Sequence, residues 1–283
     1  MKQHPQFCTI TPTAYLPKFA RANGSDFHLL LAHLIDPNSS HYDPGYASFY
    51  KESKYSNETY ICDNGAFELN QSYAPDRLIT IGKSVGADVL VLPDYPGQPS
   101  DVTITAAKKY IPQFKDAGFK TFYVPQSAPG DWGGWLRSFE WALFNPEIDM
   151  IGMSILAHPI ALPHIPKSYV RVVAADRIAT WLTQDTERAE AFYYKHIHWL
   201  GLLNPGLELP ALLGMGLVDT LDSSNPVWFG HCGIPYNQFS ESLTPVDKKY
   251  VPEVDFSVHP VKDDSIISHN LAIIDEIFRS YQK

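Results

Sequence analysis

Two carboxylates, Asp219 and Asp222, close an apolar run in "LLGMGLVDTLDSSNPVWFG" (Leu212–Gly230). A buried strand that stops in charge reads as a strand reaching a polar site. The pattern recurs: "TYICDNG" reaches Asp63, "DVLVLPD" reaches Asp94 and "KTFYVPQ" reaches Gln126. Ser154 or His158, Asn204 and His231 follow other apolar runs. Carboxylates collected in one place can divide labour, one staying ionised as a nucleophile while another carries a proton. Taken singly, each aspartate also has a plainer role, capping the next helix or making an Asx-turn.

The individual segments sharpen this reading. In "CDNGAFEL", Gly65 allows a sharp turn just after Asp63 and Ala66 keeps the neighbourhood small, which suits close approach of a flat ligand. Asp94 in "PDYPG" is either a turn residue or an acceptor for two adjacent donors, such as N1–H and N2–H of a guanine. Gln126 supplies a further contact to a base. His196 and His198 in "HIHW" have alternating spacing that suits a metal, but they fall at the start of their strand, where stability residues are expected. His158 and His231 lie nearer the expected mouth and read as hydrogen-bonded histidines without a reactive role.

The elements that must position these groups are short apolar runs alternating with helical segments. The expected strands are Phe27–Ile35, Thr59–Gly65, Asp88–Asp94, Lys120–Gln126, Met150–Leu156, Ile197–Leu203, Leu212–Asp222 and Val227–Gly233. Helices are expected from Pro75 to Gly86, from Ser100 to Gly118 with Pro112 inside, over "GGWLRSFEWALFN", over "YVRVVAADRIATWLTQDTERAEAFYYKH" and over "DDSIISHNLAIIDEIFRSYQ". Only a short helix around Leu207–Leu213 fits the seventh unit. Near-continuous apolar strands alternating with helices imply a parallel sheet covered on both faces. About eight such units predict a (β/α)8 TIM-type barrel, one domain over residues 1–283, with working residues at the C-terminal ends of the strands. Trp132, Trp135 and Trp141 read as packing residues.

Composition narrows the function classes. Hydrophobic residues make up 45%, enough for a large core, and the net charge of -9 argues against a broad basic surface for nucleic acid. Local basic patches stay open. Lys51 and Lys54 in "KESKY", and Lys248 and Lys249 in "DKKY", either border the mouth and meet phosphates or are solvated loop charge. Cys8, Cys62 and Cys232 are scattered, so neither a disulfide framework nor a cysteine-rich zinc site is expected, and no metal or cofactor is predicted. "MKQHPQFCTITPTAYLP" lacks the apolar core of a signal peptide, and no stretch approaches a membrane span, so a cytoplasmic protein is expected. G-x-G-x-x-G, P-loop, G-x-S-x-G and H-E-x-x-H motifs are missing.

Together the quoted segments resemble the tRNA-guanine transglycosylase superfamily, which exchanges guanine for a 7-deazaguanine in nucleic acid. The superfamily's D-S-G-G-F is similar to Asp63–Phe67, D-N-G-A-F. Its next-strand aspartate corresponds to Asp94 and its following Gln to Gln126 in "VPQS". Its base-contacting strand corresponds to Gly152 and Met153 in "IGMSILA", and its H-L-L-G-x-G-x-P to "HWLGLLNP". Its G-x-D-x-F-D-C-x-x-P corresponds to "LVDTLDSSNP", with Asp219, Asp222 and Pro226 in register. The matches keep their order over most of the chain.

The departures bear on the branch. The C-x-C-x-x-C…H zinc site is missing, "VWFGHCGI" replaces the stretch that grips tRNA, and Asn64 and Ala66 replace Ser and Gly. A member of this kind is similar to the 7-deazaguanine DNA transglycosylases of phages and bacterial DNA-modification clusters. The resemblance implies Asp222 as nucleophile and Asp63 as general acid and base. It implies Asp94, Gln126, Gly152, Met153 and Asn64 as contacts to the base, with Asp219 supporting the Asp222 loop. The implied partners are DNA, a 7-deazaguanine such as 7-cyano-7-deazaguanine, and guanine as the leaving base. A phage-encoded chain would work in the host cytoplasm. The rivals are a tRNA-guanine transglycosylase, a retaining glycoside hydrolase using Asp63 and Asp222 with Tyr95 and Trp228 at the mouth, and a non-catalytic binding subunit.

Overall fold

Every strand of the sheet runs in the same direction, so all the strand C-termini meet at one rim. The computed structural model describes residues 4–237, 243 and 251–281. Eight strands form one parallel sheet in the order β1-β8-β7-β6-β5-β4-β3-β2. They are β1 (Gln6–Thr9), β2 (Phe27–Leu30), β3 (Thr59–Cys62), β4 (Val89–Val91), β5 (Lys120–Tyr123), β6 (Met150–Ser154), β7 (His196–Leu200) and β8 (Thr220–Ser223). The sheet is nearly closed into a barrel, compatible with a TIM-type barrel. At the seam between β1 and β2 the backbone ladder gives way to side chains: Leu29 N–H donates to Cys8 Sγ at 3.2 Å and Asp26 N–H donates to Gln6 Oε1 at 3.0 Å.

The strands are shorter than expected, and several assignments change. Val227–Gly233 is not a strand: Asn225–His231 is a helix, with Pro226 in its first turn. The missing strand is β1, a run of four residues at the N-terminus whose last three are buried. Leu212–Asp222 is likewise not one element. Its first part ends the helix Pro205–Gly214, Gly216 turns at φ +67°, and only Thr220–Ser223 is strand. Ala32–Ile35, read as the end of the first strand, is a helical turn. "YVRVVAADRIATWLTQDTERAEAFYYKH" divides into helices Val170–Thr183 and Thr186–Tyr194, because Asp185 caps the second by accepting from Glu187 N–H and Arg188 N–H.

One device repeats along the N-terminal rim. Asp88, Asp149 and Asp219 stand immediately before β4, β6 and β8. Each donates its N–H to a carbonyl on the preceding strand and accepts that residue's N–H on Oδ2. The partners are Tyr60 at 2.7 Å, Thr121 at 2.8 Å and Ile197 at 2.8 Å. Lys54 and Lys115 lie against Asp88 and Asp149 at 2.7 and 2.5 Å. Two expectations are corrected here. Asp219 does not support the Asp222 loop, since it clasps β7 at the far end of the sheet. Lys54, with Lys51 in the last turn of the helix before it, belongs to that same far end and not to the mouth. Lys248 and Lys249 lie outside the described residues.

Candidate active site

The C-terminal rim surrounds a cavity of about 1470 Å³. Asp63, Asn64, Glu68, Asp94 and Asp222 line it, together with Ser154, Gly201 and the segment Val251–Ser257. Among the described lining residues there is no Lys or Arg.

Asp63 follows β3 directly. Gly65 takes φ +77°, a conformation that glycine adopts without strain, and its N–H donates to Asp63 Oδ2 at 3.0 Å. The turn feeds the single-turn helix Ala66–Leu69, which brings Glu68 to the cavity beside Asp63. Burial pushes the Asp63 carboxyl up to about 7; negative charge on Asp94 and Asp222 adds to this, and the N–H groups of Gly65 and Asn64 oppose it. Burial and the neighbouring Asp63 push Glu68 up to about 8. Sequence reasoning missed Glu68, although it stands in the quoted "CDNGAFEL". A carboxylate closely following a strand-end aspartate across a Gly turn was the available signal.

Asp94 is buried at the end of the β4 unit. Asn64 Nδ2 donates to Oδ1 at 2.7 Å and Gln126 Nε2 donates to Oδ2 at 2.6 Å. Burial raises its pKa and these two amides oppose the rise. Gln126 does not line the cavity: its amide is spent on Asp94, and its Oε1 is buried without a hydrogen-bond partner. Asn64 does line it, while bracing Asp94 and, through Oδ1, accepting Ala66 N–H at 2.9 Å.

Asp222 is buried within β8. His198 Nε2 lies 2.9 Å from Oδ1, and Gly201 N–H donates to the same oxygen at 3.2 Å. Gly201 turns the chain after β7 at φ +67°. The end of β7 and the loop beyond it are fastened from behind. Arg171 donates to Leu200 O at 2.8 Å, and Glu208 Oε1 accepts from Leu203 N–H and Asn204 N–H at 3.0 and 2.8 Å. His198, expected at the stability end with His196, is instead mid-strand and touches the candidate nucleophile. Two-residue alternation sends His196, His198 and Leu200 of β7 to the same face.

Gly152 and Met153 lie within β6 and do not line the cavity. A Cβ on Gly152 would stand 2.3 Å from the Phe122 ring, so glycine makes room for that ring, which packs edge-on against His198 at 5.5 Å. Met153, the next residue along, is buried on the other face of the strand. Of the remaining histidines, His158 is buried between Trp135 and Trp199, and burial holds it well below its ordinary pKa. His231 bonds Tyr15 through Nδ1 at 2.8 Å and stacks on Trp228. Trp228 lines the cavity but is buried; Tyr95 is exposed and does not line it. Among the described residues, the exposed aromatics that do line it are Tyr42 and Phe67. No group of three His, Cys, Asp or Glu residues among those described is arranged to hold a metal ion, and no described helix is long and apolar enough to cross a membrane.

The chain matches no protein-family model and no curated protein.

Proposed function

We propose that this protein is a base-exchange transglycosylase on a TIM-type barrel, replacing guanine in DNA with a 7-deazaguanine such as 7-cyano-7-deazaguanine. One observation carries the reading. Asp222, held by His198 and Gly201 on one oxygen, shares a cavity with Asp63, whose carboxyl is pushed up to about 7. An ionised carboxylate and a proton-bearing carboxyl in one cleft are the pair needed to break a glycosidic bond with retention.

In the first half-reaction Asp222 attacks C1′ of the target deoxyguanosine. The C1′–N9 bond breaks, an ester links Asp222 to the sugar, and the electron pair leaves with guanine, which takes the Asp63 proton. In the second half, ionised Asp63 removes the N9 proton of the incoming 7-deazaguanine. N9 then attacks C1′ and the Asp222 carboxylate is released. Asp94 accepts the adjacent N1–H and N2–H of either base, each of its oxygens retaining a lone pair beyond the bond from Asn64 or Gln126. The target nucleotide must leave the helical stack to enter the cavity. The described lining offers no Lys or Arg to a phosphate, and Lys248 and Lys249 precede the lining residue Val251 in the chain.

A retaining glycoside hydrolase is favoured by one separate observation: Tyr42 and Phe67 are exposed aromatics against the cavity, of the kind on which sugar rings stack. Nucleoside mass spectrometry of DNA incubated with the protein and candidate 7-deazaguanines separates the two. Appearance of the modified deoxynucleoside, with free guanine released in equal amount, supports base exchange. Unmodified DNA together with hydrolysis of aryl glycosides would replace it with the hydrolase reading.

A further inference from the structure

We propose that His198 is a positioning residue for Asp222, and that its Nε2–H tautomer, set by the carboxylate, is held in place by a hydrogen-bonded chain running back through Thr220 to His196. The inference rests on the reading of Asp222 as nucleophile and concerns how that oxygen pair is prepared.

With His198 neutral, the direction of every bond in the chain follows from the first. An ionised carboxylate only accepts, so His198 Nε2, 2.9 Å from Asp222 Oδ1, must carry the hydrogen. In a neutral imidazole Nδ1 then has only a lone pair. Thr220 Oγ1 lies 2.7 Å from that Nδ1, so the hydroxyl donates to it. A hydroxyl has one hydrogen, and that one is used. His196 Nε2, 2.8 Å from the same Oγ1, is therefore a donor as well. Three side chains on two adjacent strands thus fix one proton arrangement, which ends at the oxygen of the candidate nucleophile. The Phe122 ring, seated where Gly152 has no Cβ, packs edge-on against the imidazole.

The chemical consequence is a division of labour between the two oxygens of Asp222. His198 and the Gly201 N–H both bind Oδ1. Oδ2 is therefore the attacking atom, and in the ester Oδ1 becomes the carbonyl oxygen, still facing its two donors. When the ester breaks, negative charge returns to Oδ1, and hydrogen bonds to a charged acceptor are the stronger ones. The donors therefore assist release of Asp222 more than they assist its attack. Losing the correct tautomer removes one of them and puts a lone pair against the carboxylate.

Thr220→Val removes the hydroxyl while keeping the side-chain shape. The expected result is an adduct that forms with DNA but breaks down about 10–100-fold more slowly when the incoming base is supplied, the size of loss typical when a partner that fixes the tautomer of a metal-bound histidine is removed. Thr220→Ser should restore normal breakdown. In a His198→Gln background, where the amide donates without a tautomer to set, Thr220→Val should have no further effect. Wild-type protein labelled with 15N in histidine should show His198 with its proton on Nε2. A proton on Nδ1, or a Thr220→Val protein whose adduct breaks down at the wild-type rate, would overturn the proposal. If wild-type protein forms no adduct at all, the base-exchange reading fails, while the 15N spectrum still decides the tautomer.

Discussion

Gln126 donates its Nε2–H to Asp94 Oδ2 at 2.6 Å while Asn64 donates to Oδ1 at 2.7 Å, so two amides from neighbouring strand ends fix the plane of one buried carboxylate. Asp94→Asn would set an NH2 group against one of these donors. A mismatched buried pair costs about 1–3 kcal/mol, and the two-donor edge of guanine would lose its matching acceptor as well. Denaturant unfolding should show that loss while the fold persists, and exchange should fall strongly. Wild-type exchange by this variant would reduce Asp94 to a turn residue.

Asp63 should leave a double signature in pH. The folded protein keeps its proton up to about 7, whereas an unfolded aspartate releases it near 3.8. Between those values the folded state binds more protons, so this residue's contribution to stability falls as pH rises. Asp63→Asn should therefore raise the melting temperature more at pH 8 than at pH 5. The same variant should slow adduct formation by roughly 100–10,000-fold through loss of proton transfer. In wild-type protein, adduct formation should decline above about pH 7, as the proton-bearing form is lost. A pH-independent melting difference would contradict the burial argument.

Asp222 and Asp219 should separate cleanly. With DNA present and the incoming base withheld, denaturing gels should show a protein–DNA adduct. Asp222→Ala should abolish it, and Asp222→Asn should be nearly as inert because an amide is a poor nucleophile. Asp219→Ala should still form it. That variant instead loses the acceptor for Ile197 N–H, at a cost of about 1–3 kcal/mol in unfolding. An adduct lost in Asp219→Ala and kept in Asp222→Ala would reverse the assignment.

Gly152→Ala tests the packing behind His198. The added methyl meets the Phe122 ring at 2.3 Å, and overpacking of this kind typically costs about 1–3 kcal/mol. Chemical denaturation should register it, and adduct breakdown on adding the incoming base should slow as the imidazole shifts. An unchanged midpoint would mean that the ring moves aside freely.

Lys51 and the Lys248–Lys249 pair should matter unequally. Lys51→Ala, far from the mouth, should leave DNA affinity unchanged. Neutralising Lys248 and Lys249 together should weaken binding and reduce the slope of log affinity against log salt by about 1.8, near 0.9 for each phosphate that a lysine no longer neutralises. Equal effects from Lys51 and from the Lys248–Lys249 pair would count against binding at the C-terminal rim.

The alternation of apolar runs with helical segments was enough to predict a parallel α/β sheet, because strands covered on both faces must be apolar along their whole length. It was not enough to place every strand. β1 is four residues long and carries no periodic signal, while the apolar start of "VWFGHCG" lies in a helix that ends at His231. Local composition does not separate a short buried helix from a short buried strand.

The polar strand ends were legible in the same way. Asp63, Asp94 and Asp222 were identified from their positions after apolar runs, and all three line one cavity. Asp219 and Asp222 look equivalent in "LVDTLDS", yet one clasps β7 at the far rim and the other lines the cavity, because a strand of only four residues carries the chain from one end of the sheet to the other. Tertiary structure alone decided that His198 reaches Asp222, that Gln126 serves Asp94, and that Glu68 returns to the cavity. Each of these depends on register between strands far apart in sequence, or on a backbone turn. Residue type states what a side chain can do; strand pairing determines what it meets.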